Sequence, residues 1–98
     1  MPHYVFRALD RPGSDAIRAA VRERHRQHIR LENHGCRCVL AGPLFDRPDG
    51  QMVGSLLIFD APSKEAVASF MRSDPYVQAD LFYSIEIHAW LVGLGSIV

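Results

Sequence analysis

The order in which hydrophobic periodicity changes along this chain restricts its fold more than any single motif. Near the start, Tyr4, Phe6 and Ala8 alternate with His3, Val5, Arg7 and Leu9, the period-two pattern of a half-buried strand. "RPGSD" at 11–15 breaks that pattern, and Ser14 or Asp15 can accept the unpaired N–H groups that open a helix. The helix is expected to run to Gly35, which suits a left-handed stop. A second strand, "CRCVLAGPL" at 36–44, leads into the turn cluster "FDRPDGQ", and "MVGSLLIFD" at 52–60 returns as a third strand. Pro62 and Ser63 open a second helix with Ala66, Val67, Phe70 and Met71 at helical spacing. It stops at Asp74, because the residue before Pro75 is pushed out of helical angles. "YSIEIHAW" at 83–90 alternates again, with Ile85, Ile87 and Ala89 inward and Glu86, His88 and Trp90 outward.

The resulting β-α-β-β-α-β order in one domain of 98 residues predicts an α+β fold. Its simplest form is a four-stranded antiparallel sheet of ferredoxin-like topology with both helices on one face. Strands one and three carry bulky apolar residues on both sides, and two helices can cover only one of them. The other face is expected to meet a second copy, giving a homodimer.

Composition narrows the function classes. The apolar runs are too short to cross a bilayer, and Arg7 and Asp10 interrupt the stretch where a secretory signal would need to be apolar, so a cytoplasmic protein with no membrane partner is expected. Eleven basic residues balance eleven acidic ones, which argues against a nucleic-acid partner. The balance is uneven along the chain. Arg7, Arg11, Arg18, Arg22, Arg24, Arg26, Arg30 and Arg37 crowd the first forty residues, and most of the acids follow, so a basic half is expected to face an acidic half.

The stretch "VRERHRQHIR" at 21–30 holds the candidate chemistry. On a helical wheel Ile17, Val21, His28 and Leu31 fall near one line, with His25 on the flank. His28 is then a packing residue within reach of a ligand, while His25 sits where an imidazole can meet both solvent and substrate. Arg22, one turn before His25, can hold a carboxylate or phenolate, whereas Arg18, Arg26 and Arg30 are assigned to the solvated face. Asp74 before Pro75 is a natural N-cap, and its second oxygen remains available to a histidine. Tyr4 and Tyr76 can offer hydroxyls to a ligand or serve as amphipathic edges of the core.

His34, Cys36 and Cys38 lack the convergence and the second cysteine pair of a metal site. Two strand residues one apart send their thiols to one face at a separation of about 7 Å, too far for a disulfide. With no phosphate-cradling glycine loop and no G-x-S-x-G elbow, neither a nucleotide nor a serine nucleophile is indicated, and no metal or organic cofactor is expected.

Arg22-x-x-His25, "AGPL" at 41–44, "GSLLIF" at 54–59, "DPYV" at 74–77 and "EIHAW" at 86–90, in register from Tyr4 to Trp90, resemble the YCII-related family. The resemblance implies a dimeric α/β barrel with a histidine and an aspartate beside a pocket between sheet and helices, here His25 and Asp74. An enzymatic branch similar to dehydrochlorinases of hydroxylated aromatics implies proton transfer by that pair. The carboxylate would fix the imidazole tautomer and leave its other nitrogen as general acid or base.

The expected activity is cofactor-independent lyase or isomerase chemistry on a small cyclic or aromatic metabolite. A cofactor-free monooxygenase is a second enzyme variant, and a non-catalytic small-molecule-binding dimer or accessory subunit is the alternative. The chain departs from the family pattern in the charged "RQHIRLENHG" with its extra His28, in Asp80 where glycine is common, in Ala89 where proline is common, and in the one-position displacement of Gly35.

Overall fold

The computed structural model describes residues 2–97. Its elements are β1 (His3–Asp10), α1 (Asp15–His28), β2 (Glu32–Asn33), β3 (Cys36–Phe45), β4 (Met52–Asp60), α2 (Lys64–Arg72), α3 (Pro75–Gln78) and β5 (Phe82–Trp90). All strand pairings are antiparallel, in the order β2-β3-β4-β1-β5. Without the two-residue β2, this is the ferredoxin-like sheet that the periodicities predict.

Cross-strand register shows how alternation builds the core. Phe6 of β1 lies opposite Leu57 of β4 and Ile87 of β5, and Tyr4 lies opposite Phe59, so one face collects these side chains. Phe6, Leu57 and Phe59 are buried there with Val67, Phe70 and Met71 of α2. Edge-to-face contacts of Phe6 with Phe82 and of Phe59 with Phe70 tie sheet to helices. Ile85 and Ala89 share this face but stay exposed, on β5 at the edge of the sheet. Ser63 caps α2 by accepting the Ala66 N–H at 3.1 Å. The opposite face carries Val5, Leu56, Ile58 and Trp90, of which Leu56 and Trp90 are exposed, Val5 is half-buried and Ile58 is buried.

Three expectations are corrected. The sheet has five strands rather than four, because α1 stops at His28 and the polar stretch after it has no apolar stripe to pack. Glu32 and Asn33 instead pair with Arg37 and Cys36 through a two-residue hairpin, with φ of 53° at His34 and 79° at Gly35. Gly35 does supply left-handed backbone, but to a hairpin instead of a helix end. Ser14 occupies the N-cap of α1 without a side-chain cap bond; its hydroxyl donates to the Arg11 carbonyl.

The third correction is the phase of α1. Its buried residues are Arg18, Val21 and His25, while Ile17 and Leu31 are 41% and 58% exposed. A helix normally buries its apolar stripe. Here two polar side chains win the inward positions because the rest of the fold supplies each with a buried carboxylate.

Candidate functional site

Arg18 and His25 stand two turns apart on the inward side of α1, and each meets an acid from elsewhere in the chain. The Arg18 guanidinium donates from Nε to Asp10 Oδ2 at 2.7 Å and from Nη2 to Asp10 Oδ1 at 2.8 Å, with a further bond to Ser55 Oγ at 2.9 Å. Burial opposes the Arg18 charge, but the hydrogen bonds and charge of Asp10 outweigh it and the pKa is raised. Arg18 is thus a fixed cation at the end of β1.

His25 Nδ1 lies 2.6 Å from Asp74 Oδ1, across 49 residues of sequence. Asp74 is fully buried, and its other oxygen, Oδ2, accepts the Tyr76 N–H at 3.0 Å. Local sequence explains the placement. The residue before Pro75 is held extended, with φ −67° and ψ 132°, and this aims the carboxylate back over the first turn of α3. The same side chain caps α3 and receives the imidazole. An ionised carboxylate can only accept, so Nδ1 is the donor and Nε2 of the neutral ring is the acceptor. Among the described residues Nε2 has no protein partner, and His25 forms part of a cavity wall.

Tyr76 completes the wall. Its ring stacks on His25 with centroids 3.9 Å apart and planes 17° apart, and the Arg18 guanidinium carbon lies 4.6 Å from the same ring centre. Burial raises the Tyr76 phenol pKa, and the charges of Arg18 and Arg22 work against that rise.

The cavity, about 480 Å³, opens between α1 and the β3–β4 part of the sheet. Its existence follows from side-chain size. The β3 segment beneath α1 sets the small residues Cys38, Ala41, Gly42 and Pro43 around Val39 and Leu40, and the helix surface above carries arginines, so the two do not close into a packed interface. A bulge at Val39 interrupts the register between Cys38 and Leu40. Cys38 and Cys36 are unpaired, and burial is the first cause that pushes each thiol up to about 11. Among the described residues no three His, Cys, Asp or Glu side chains converge as metal ligands, and no helix is long and apolar enough to cross a membrane.

Of the residues singled out from sequence, His25, Tyr76 and Arg22 line the cavity, with Asp74 directly behind His25. His28 and Tyr4 do not. The His28 Nε2 pairs with the Phe70 carbonyl at 2.9 Å and its ring leans on Phe70, which makes it a packing residue tying α1 to α2. Tyr4 is half-buried against the hydrophobic core.

The assignment of Arg18, Arg26 and Arg30 to a solvated face is corrected for Arg18, which is buried; Arg26 and Arg30 are exposed, as expected, and with Arg18 also line the cavity. Their signal was present in the i, i+4 spacing of positions 18, 22, 26 and 30, the first three one row along α1 and Arg30 just past its end. Composition hid it, because a row of arginines reads as a face turned to water.

The YCII-related domain family matches residues 3–91. A solved 5-chloro-2-hydroxyhydroquinone dehydrochlorinase from Burkholderia phenoliruptrix AC1100, in complex with 2,5-dihydroxybenzoquinone, is similar at 28% identity and a TM-score of 0.81, over 93% of this chain and 95% of that one. A protein from Deinococcus radiodurans described as a candidate antibiotic biosynthesis monooxygenase is similar at 16% identity and a TM-score of 0.55, over 100% and 98% of the two chains. Another so described, from Bordetella bronchiseptica, gives 15% and 0.57 over 94% and 96%. The latter two likenesses concern the fold alone, that of the dimeric α/β barrels. No curated protein matches.

Proposed function

This chain belongs to the YCII-related domain family, and on that premise we propose that it is a cofactor-independent enzyme acting on a small hydroxylated ring. The reaction is loss of hydrogen chloride, with His25 moving the protons and Asp74 orienting it. The observation that carries this reading is the 2.6 Å contact between His25 Nδ1 and Asp74 Oδ1 at a cavity wall, which leaves Nε2 for a ligand. Its chemical direction comes from the similarity to a dehydrochlorinase of a chlorinated hydroxyhydroquinone.

The proton bookkeeping suits one imidazole. A hydroxyl proton passes to Nε2 and from there to the chlorine-bearing carbon, making a ketone. A second hydroxyl then gives up its proton, its oxygen forms a second C=O, and chloride leaves with the C–Cl electron pair. The sum is loss of H⁺ and Cl⁻, which takes the ring to the quinone level without an external oxidant. Alternating acid and base duty is what an imidazole held in one tautomer can perform. Tyr76 and Arg22 position the ring. The uncovered sheet face, with Leu56 36% exposed, supports a homodimer, and two unpaired thiols suit the reducing cytoplasm.

The test is anaerobic chloride release from 5-chloro-2-hydroxyhydroquinone, followed together with quinone absorbance, for the wild type and His25→Asn. The reading expects release by the wild type at least about a hundredfold faster than by the variant. A wild-type rate no greater than that of buffer would overturn it and favour a non-catalytic binding dimer.

A further inference from the structure

Arg22, Arg26 and Arg30 continue the row begun by Arg18 and reach the same cavity. The positive charge there is poorly compensated. Among the described residues no acidic side chain lines the cavity. Asp10 neutralises Arg18 alone. Glu23 lies 3.7 Å from Arg26 with both side chains largely exposed, a pairing that solvent weakens. Arg30 spends one N–H on the Arg26 carbonyl at 2.8 Å, and among the described residues Arg22 has no acid within salt-bridge distance. Three guanidinium groups at the rim of a concave, partly apolar site strengthen one another's attraction for an anion.

We propose that the natural ligand is an aromatic acid: a hydroxylated ring bearing a carboxylate, the ring lying against His25 and Leu57 and the carboxylate held by Arg22, Arg26 and Arg30. Planar guanidinium forks match a planar carboxylate through paired N–H bonds. A cavity of about 480 Å³ accommodates one substituted ring. The inference deepens the proposed function by adding a substituent that the dehydrochlorinase substrate, as named, does not carry.

The experiment is equilibrium binding of 2,5-dihydroxybenzoic acid and of its neutral isostere 2,5-dihydroxybenzamide to the full chain, by calorimetry at low and high salt. The acid is expected to bind at least about tenfold more tightly than the amide, with an advantage that shrinks as salt screens the rim. In the triple variant Arg22→Gln/Arg26→Gln/Arg30→Gln the advantage should fall to within about twofold, and in His25→Asn it should persist. Equal binding of acid and amide, failure of the acid to bind at millimolar concentration, or an undiminished preference in the triple variant would each overturn the inference. If the acid preference holds while chloride release fails, the reaction is wrong and the ligand class stands; the reverse pattern removes the ligand class alone.

Discussion

The carboxylate of Asp74 holds the imidazole of His25 at 2.6 Å from a position that water does not reach, since Asp74 is fully buried. Removing the imidazole therefore has two separable consequences, for the proton transfer proposed for it and for the aspartate left behind.

His25→Ala strands a buried carboxylate and should destabilise the fold by about 3–5 kcal/mol. His25→Asn places an amide N–H near the position of Nδ1, keeps Asp74 partnered and removes the base. Thermal melts should show the asparagine variant within a few degrees of the wild type and the alanine variant well below it, with turnover lost in both. Residual turnover near the wild-type rate in His25→Asn would exclude His25 as the proton carrier.

Arg18 should behave as a structural cation. Arg18→Leu leaves Asp10 buried without its partner and is expected to cost about 3–5 kcal/mol, a fall in Tm of more than about 10 °C. Adding Asp10→Leu should recover much of that loss, because a buried ion pair replaced whole by apolar groups is often neutral. Denaturant unfolding of the single and double variants measures both.

The two thiols give a pH signature. Burial raises Cys36 and Cys38 from an ordinary value of 9.0 to about 11, so the folded chain favours the neutral thiol. Stability from this source is complete below about pH 9 and is lost as pH rises toward 11. At pH 8 alkylation by iodoacetamide should be about a hundredfold slower in the folded protein than after unfolding, with Cys38, which lines the cavity, reacting before Cys36.

The uncovered sheet face predicts self-association. Leu56→Arg puts a charge at the middle of that face, and sedimentation at micromolar concentration should show a dimer for the wild type and a monomer for the variant. A monomeric wild type would exclude the face-to-face arrangement.

Element order and sheet class were legible because period-two alternation and turn chemistry are local properties, and β4 falls on residues 52–60, the apolar run that follows the 45–51 turn cluster. The dual duty of Asp74 was also legible, since it follows from a proline and from the valence of a carboxylate. The phase of α1 was not. A hydrophobicity wheel scores arginine and histidine as outward, and only tertiary pairing with Asp10 and Asp74 turns Arg18 and His25 inward. The end of α1 was missed for a related reason: Gly35 signals left-handed backbone without saying whether a helix stop or a hairpin uses it. Asp80, at the position where the resemblance has glycine, adopts a φ of 57°, and its side chain pairs with Arg11 at 2.9 Å. An aspartate tolerates that conformation better than most residues.

His25 belongs to the first β-α-β segment and Asp74 to the second, with the 46–51 turn between them. Neither half of the polypeptide contains the His25–Asp74 pair by itself. The pair comes into being only when the halves dock, so if it moves the proton as proposed, the return of turnover during refolding would time that docking, while circular dichroism would time helix growth. A chain cleaved at the turn would need both fragments, mixed, before any chemistry resumed.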